Sequence, residues 1–145
     1  MPSYQAHLRQ AQHNEHLLSD LVTNLSYKDW VATVAFYAAV HYVEAHFFND
    51  ASIVHTEATI PTGPDGRWQH SPHSWRQQLL RRYCTRQVWG GFRSLHNASY
   101  VARYLMPSGQ VVAVTTDAQT HWTDNDTRDF VLVDLKNIKS ALGFP

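Results

Sequence analysis

Residues 30–48 read WVATVAFYAAVHYVEAHFF, an almost continuous run of apolar and aromatic residues. Apolar side chains occupy the helical stripe of positions 30, 34 and 37, and they also occupy positions 31, 36, 38, 40 and 43 on the other faces. A helix that is apolar nearly all round lies at the centre of its bundle. The segment therefore predicts a central helix, from Ser26 or Tyr27 to about Asn49. It also raises the question of why such a helix carries His41 and Glu44.

Helical signals recur on both sides of this central segment. Residues 4–25 carry apolar side chains at spacings of three or four, and Ser71-Pro72 has the form of an N-cap followed by Pro at the first helical position. Gly90-Gly91 and Pro107 are potential helix breakers, and Thr123 or Asp124 is a potential cap for the last helix. The predicted helices are residues 4–25, 26–49, 72–89, 92–105 and 124–144.

Two segments between the helices carry no helical signal. Residues 50–71 contain two Pro and two Gly among mixed polar residues, which predicts a long loop. Residues 110–116, QVVAVTT, favour a short extended segment that is too isolated to build a sheet. The predicted fold is all-α, an up-and-down helical bundle of about five helices with one long loop between helices two and three. Residues 1–145 are expected to form a single domain.

Composition limits the class of protein. No run approaches the roughly 18 apolar residues that cross a membrane, and the polar N-terminus lacks the apolar core of a signal peptide. A single cysteine, Cys84, excludes an internal disulfide framework and a cysteine-rich zinc site. Cys84 lies between arginines, which would depress its pKa if it were exposed, although a helical cysteine is more often part of a core. These features predict a cytoplasmic protein without membrane contact.

The charge is zero overall but unevenly distributed. Residues 67–116 hold seven arginines and no aspartate or glutamate. These arginines either pair with acids on the other helices or form a surface that binds phosphate. Under the second alternative, the expected RNA-binding residues are Arg81, Arg82, Arg86 and Arg93.

Three short motifs, taken in order, resemble those of a known family. Phe36 to His41 reads Phe-Tyr-x-Ala-x-His, His73 to Arg76 reads His-x-x-Arg, and Ala102 to Tyr104 reads Ala-Arg-Tyr. Together they resemble the small, stand-alone prokaryotic HEPN-domain proteins over about residues 27–106. The resemblance implies a helical bundle that forms a homodimer and acts on RNA, as a component of a toxin–antitoxin or phage-defence module.

The resemblance also implies a catalytic motif. Active HEPN proteins are metal-independent ribonucleases with an Arg and a His separated by four to six residues, and two such motifs meet at the dimer interface. In this sequence Arg67 and His73 are separated by five residues and lie at the junction of a loop and a helix. In the fourth helix Arg93 and His96 are separated by only two residues.

Residue chemistry adds a second pair. A histidine with a pKa near neutral can transfer protons during RNA cleavage, and an arginine can hold the phosphate. His73 and Arg76 are three residues apart on the first turn of a helix and can face the same way. The candidate catalytic residues are therefore Arg67, His73, Arg76 and His41. Alternatively, His73 belongs only to a helix cap and Arg76 is a solvated arginine.

His41 and Glu44 also suit a structural role. A buried charge must be paired, so these side chains are expected to join a polar network with Ser99, Arg103 and Tyr104, with Arg103 or Tyr104 as the partner of Glu44. None of the ten histidines lies at a known metal-ligand spacing, so no metal or other cofactor is predicted.

The sequence supports three functional hypotheses. The first is an RNA-directed HEPN-like protein, either an endoribonuclease or an RNA-binding component. The second is a non-catalytic interaction module that forms dimers and docks a partner protein, such as a nucleotidyltransferase antitoxin. The third is a nucleotide-binding sensor that uses the aromatic core.

Overall fold

The computed structural model describes residues 2–105 and 117–145. These residues adopt an all-α fold, which confirms the predicted fold class. The helices are α1 (Tyr4–Leu21), α2 (Lys28–Asn49), α3 (Pro72–Tyr83), α4 (Arg86–Tyr104), α5 (Ala118–His121), α6 (Asp124–Asp129) and α7 (Lys136–Leu142), with a π-helical segment (Phe130–Leu135) between α6 and α7. The extended segment predicted at residues 110–116 lies outside the described residues.

Helix α2 occupies the centre of the molecule. Its buried residues cover most of its circumference and include Val31, Phe36, Val43 and Phe47, whereas Trp30 is exposed. Helices α1 and α4 make its most extensive contacts, and α7 and the π-helical segment also pack against it. A helix with this composition buries its surface only when neighbours surround it. The apolar run at residues 30–48 therefore determines which element the others pack around.

The boundary between α3 and α4 differs from the prediction. Helix α3 ends at Tyr83 rather than at Trp89, and α4 begins at Arg86 and continues through Gly90-Gly91 without a break. Cys84 and Thr85 separate the two helices, because both adopt extended backbone conformations. Gly90-Gly91 therefore does not end a helix, and the prediction of a helix break there was wrong.

Gly91 serves helix packing instead. A Cβ atom at this position would lie 3.1 Å from Ile138 Cγ1 and 3.2 Å from the Asp134 carbonyl oxygen. Both distances are shorter than an ordinary van der Waals contact, so a side chain at this position would require Ile138 or the Asp134 backbone to move by a few tenths of an ångström. At Gly90 a Cβ would meet no atom within 4 Å.

The segment between α2 and α3 folds back onto α2. It contains a 3₁₀ turn at Thr56–Thr59 and an isolated antiparallel pairing of Thr62 with Trp68. The N–H of Thr56 donates to Glu44 Oε2 at 2.9 Å, which fixes the turn against the centre of α2. Ser71 caps α3 by accepting a hydrogen bond from Ser74 N, with Pro at the start of the helix.

The C-terminal helices close the other side of the core. Thr123 and Asp126 form a reciprocal capping box at the start of α6. Lys28 Nζ, at the start of α2, donates to the Trp122 carbonyl oxygen at 2.9 Å and pairs with Asp124 Oδ1 at 2.9 Å. Among the described residues, no helix combines the length and the apolar character that crossing a bilayer requires.

Candidate functional site

A groove of about 710 Å³ runs between α3 and α4. Its walls carry arginines, histidines, aromatic rings and amides, and no carboxylate. The lining residues are Ser71, His73, Ser74, Gln77, Gln78, Arg81, Trp89, Arg93, His96, Asn97, Tyr100, Arg103 and Tyr104. Volumes of 300–1,000 Å³ are typical of ligand-binding clefts. We call this cleft the α3–α4 groove.

Three arginines of the groove have no acidic partner among residues 2–105 and 117–145. Arg81 and Arg93 lie over the Trp89 ring, with guanidinium carbons 5.1 and 5.7 Å from its centroid. Arg103 lies 5.3 Å from the Tyr104 centroid, and its Nε donates to the Ser99 carbonyl oxygen at 3.2 Å. In the part of the chain that the structure describes, none of the three lies within ion-pair distance of a carboxylate. The three guanidinium charges are therefore not neutralised by acids there.

One face of α4 supplies most of the groove's rings. Positions 89, 93, 96, 100 and 104 follow one another at spacings of three or four, so their side chains share a face. The Tyr100 and Tyr104 centroids are 4.7 Å apart, and the His96 and Tyr100 centroids are 6.4 Å apart. The face spans about 22 Å at 1.5 Å per residue. It offers planar surfaces along its length with arginines interspersed.

Two histidines from different helices meet in the groove. The ring centroids of His73 on α3 and His96 on α4 are 5.6 Å apart. Arg76 Nη1 lies 2.9 Å from His73 Nδ1. Because an arginine can only donate, Nδ1 accepts, and a neutral His73 carries its proton on Nε2. His96 Nδ1 lies 2.7 Å from the Gln77 side-chain amide nitrogen.

Both groove histidines favour the neutral form. Burial lowers the pKa of His73 to about 4, and the positive charges near it, with Arg76 first, contribute in the same direction. Burial also lowers the pKa of His96, with further contributions from Arg103 and Arg76. At neutral pH both rings are therefore uncharged, and His73, whose Nδ1 already accepts from Arg76, keeps its proton on Nε2 and can donate a hydrogen bond there.

Glu44 is buried beside the groove and accepts a hydrogen bond at each of its carboxylate oxygens. Its side chain is 1% exposed, and its Oε1 accepts from Arg76 Nε at 2.7 Å, while Thr56 N donates to its Oε2. Burial alone would raise the pKa of Glu44, but the Arg76 charge and the hydrogen bonds from Thr56 and Arg76 outweigh it and lower the pKa. Arg76, expected at a catalytic position or in solvent, is itself 2% exposed.

The residues of the polar network predicted around α2 therefore have partners other than those expected. Arg103 and Tyr104 were the expected partners of Glu44, but Arg103 bonds to Ser99 and stacks on Tyr104 in the groove. Arg76 on α3 takes the place beside Glu44, and its Nε donates to Glu44 Oε1. The prediction of the partner was wrong.

His41 belongs to a separate histidine cluster. Its Nδ1 lies 3.0 Å from His7 Nδ1 on α1, and the His7 ring stacks on His55 with centroids 5.3 Å apart. Burial lowers the pKa of His41 to about 4, with His7 and Arg76 as further causes. His41 and Glu44 thus have different partners and no hydrogen bond to each other.

The predicted pairing of Arg67 with His73 is not seen. The Arg67 side chain is 88% exposed, lies 3.8 Å from Asp65, and does not line the groove that His73 lines. Arg67 is held away because it belongs to the turn that pairs Thr62 with Trp68.

The four arginines expected to bind RNA fall into two pairs. Arg81 and Arg93 line the groove. Arg82 and Arg86 are also exposed but do not line it, and Arg82 lies over the Tyr83 ring instead.

Cys84 is half-buried, and burial raises the pKa of its thiol to about 11, so it is not an activated nucleophile.

Several residues of these sites were missed from the sequence. Trp89, His96 and Tyr100 share the α4 face, and their spacing could have identified them once α4 was known to begin at Arg86. His7 and His55 carried no such signal, because their proximity to Glu44 depends on how the segment after α2 folds.

Comparison with known proteins yields no relative. No family model matches the chain, and no match was found among curated proteins or solved structures. The functional argument therefore rests on the geometry of the groove and of the histidine cluster.

Proposed function

We propose that this protein binds single-stranded RNA in the α3–α4 groove. The observation that carries the proposal is the set of three groove arginines that lack an acidic partner among the described residues and lie beside aromatic rings. Phosphates attract such arginines, and unstacked bases stack on aromatic rings and on guanidinium planes. The resemblance to HEPN-domain proteins points to the same class of ligand.

A single strand suits this groove better than a duplex. The ring-bearing α4 face is lined along one side by α3, so the bases must leave their own stack to reach Trp89 or Tyr100. Bases in loops and ends of RNA are available in this way, whereas those of a duplex are not. The groove amides of Gln78 and Asn97 can bond to base edges.

Metal-independent cleavage is a second candidate function, favoured by the His73–His96 pair. His96 can remove the proton of a 2′-hydroxyl through Nε2 when the Gln77 amide is turned so that its oxygen accepts from His96 Nδ1–H, and Arg103 can stabilise the charge that develops on the phosphate. The leaving oxygen requires a protonated histidine, which the lowered pKa values disfavour in the free protein. A bound phosphate would raise both pKa values by opposite charge. Cleavage is therefore expected to be fastest below neutral pH.

Equilibrium binding at several salt concentrations tests the proposal. Fluorescence anisotropy with a labelled single-stranded RNA should give a slope of log K against log salt of about −2, because each of three neutralised phosphates contributes about −0.7. Arg81→Ala with Arg93→Ala should weaken binding at low salt and reduce the slope to about −0.7. The matched control is Arg82→Ala with Arg86→Ala, which removes the same charge outside the groove.

The same comparison can contradict the proposal. Equal losses in the two double variants would mean that general basic charge, and not the groove, attracts RNA. No binding at low salt would leave the docking of a partner protein or the binding of a free nucleotide as the function. Incubation of RNA in EDTA with the parent, His73→Gln and His96→Gln then separates a nuclease from a binder.

The proposal also includes expectations beyond RNA binding. The helical pattern predicts an up-and-down arrangement of about five helices, and the composition predicts a cytoplasmic location. The resemblance implies a homodimer and membership of a toxin–antitoxin or phage-defence module. A half-buried single cysteine is compatible with a reducing compartment.

A further inference from the structure

The geometry points to a divalent transition-metal site, of the zinc and iron(II) class, formed by His7, Glu44 and His55. Each of the three side chains offers one ligand atom, and these atoms lie within 4.8 Å of one another. The ligands come from α1, α2 and the segment before the 3₁₀ turn. Two imidazoles and a carboxylate suit these metals better than they suit Mg²⁺ or Ca²⁺.

His7 supplies an independent indication of a ligand. Its side chain is 4% exposed, yet its Nε2 is buried without any hydrogen-bond partner. Buried polar atoms are rarely left in this state. The Nδ1 atoms of His7 and His41 are 3.0 Å apart, so one of the two rings donates its Nδ1–H to the other. When His7 is the donor of that proton, its Nε2 presents a lone pair, which is the form that binds metal.

The surroundings have the features of a supported metal site. Ligating histidines usually donate their second N–H to a neighbour, and ligating carboxylates are themselves hydrogen-bonded. His41 is the neighbour to which His7 can donate its Nδ1–H. Glu44 accepts hydrogen bonds from Thr56 N and from Arg76. Each Glu44 oxygen retains a second lone pair for a metal.

The required movement is small. Metal–ligand bonds of about 2.0–2.1 Å place tetrahedral ligand atoms roughly 3.3 Å apart. The three atoms therefore need to approach one another by about 1.5 Å at most. His55 can move most easily, because it is half-buried, lies outside the helices and accepts only a long hydrogen bond of 3.4 Å, from Glu57 N to its Nδ1, whereas His7 and Glu44 are held on α1 and α2.

Three protein ligands leave a fourth position for water or a substrate, as in catalytic and not structural zinc sites. Glu44 is already paired with Arg76, so a bound ion would keep most of its positive charge. This favours an anionic fourth ligand, such as hydroxide or a phosphate oxygen. Arg76 also bonds to His73, so the site adjoins the groove through a single guanidinium.

Direct metal titration tests the site without any assay of activity. The protein should be free of a purification tag and carry His13→Gln with His16→Gln, because these exposed histidines share a surface hollow on α1 that could itself bind metal. After chelation and dialysis, Zn²⁺ titrated against a chromophoric chelator should bind at one ion per chain. Co²⁺ should give the visible absorption of a four-coordinate site.

Substitution then assigns the ligands. His55→Gln should weaken Zn²⁺ binding at least tenfold and abolish the Co²⁺ spectrum, with the helical circular dichroism unchanged. Crystals soaked in Zn²⁺ should show anomalous scattering between His7, Glu44 and His55. The inference is overturned if the His13→Gln/His16→Gln protein binds no metal, or if His55→Gln binds as its parent does. It is also overturned if the crystals show a buried water alone at His7 Nε2.

Discussion

At the scale of single residues, Arg76 links the two polar regions of the molecule. Its Nε donates to Glu44 Oε1 and its Nη1 donates to His73 Nδ1, so one buried guanidinium orients a carboxylate on α2 and a histidine in the groove. Lysine could not replace it, because the fork geometry serves both acceptors at once. The presence of Glu44 in an apolar helix follows from this pairing.

Removal of Glu44 should be strongly destabilising. Glu44→Ala leaves the Arg76 charge buried without its partner, and breaking a buried pair in this way costs about 3–5 kcal/mol. Glu44→Gln should cost less, because the amide oxygen still accepts a hydrogen bond. Glu57→Ala, an exposed site in the adjacent 3₁₀ turn, should change the free energy of unfolding by less than about 1 kcal/mol. Urea denaturation measures all three, and a small loss in Glu44→Ala would contradict the pairing.

His73 should make the stability depend on pH. Its pKa is about 4 in the folded protein and about 6.5 when unfolded, so the unfolded state takes up the proton first as the pH falls. The contribution of His73 to stability is complete above pH 6.5 and lost progressively between pH 6.5 and 4. His73→Gln should make the pH profile of denaturation less steep over this interval, with His41 and His96 contributing to the dependence that remains, whereas exposed His13→Gln should leave the profile unchanged. An unchanged profile in both variants would contradict the burial of a neutral His73.

At the scale of elements, the adjacent glycines of α4 have opposite roles. Gly90 faces open space, and Gly91 lies against Ile138 and the Asp134 carbonyl oxygen. The close approach at Gly91 brings α4 against the C-terminal helix, which leaves the opposite face of α4 free to line the groove. Substitutions at Gly90 and Gly91 can therefore measure the effects of helix propensity and of helix packing on stability separately.

Alanine at the two glycines should shift stability in opposite directions. Gly90→Ala should raise the free energy of unfolding by up to about 1 kcal/mol, because alanine is the better helix former and its methyl group meets nothing. Gly91→Ala should lower it, because the new Cβ forces α4 away from α7 or displaces Ile138. Thermal melts of both variants measure these two changes in stability. A stabilising Gly91→Ala would show that the contact with Ile138 relaxes without cost.

Sequence patterns predicted the elements better than the contacts between them. The period of residues 30–48 and the Ser71-Pro72 cap depend on local chemistry, and both appear in the structure. The break at Gly90-Gly91 was misplaced because glycine also marks close helix packing, which a single sequence does not distinguish from a breaker. The Arg76 partner of Glu44 depends on the path of residues 50–71, and that path is set by tertiary packing.

At the scale of the whole molecule, charge is segregated although the net charge is zero. The groove arginines belong to a stretch of fifty residues without an acid, while the acidic residues lie before and after it in the chain. Such segregation steers a polyanion towards one face without making the whole protein cationic. It also makes the affinity for RNA sensitive to salt.

A homodimer remains a prediction at this scale, and the structure separates it from RNA binding. Trp30 and Leu132 are 56% and 63% exposed, which leaves apolar surface that two-fold pairing could cover. We expect light scattering at micromolar concentration to give twice the mass of one chain, and a monomer there would contradict the prediction. Both groove histidines, however, come from one chain. RNA affinity measured by anisotropy should therefore stay constant on dilution below the dimer dissociation constant, whereas a site composed across two chains would lose affinity with the dimer.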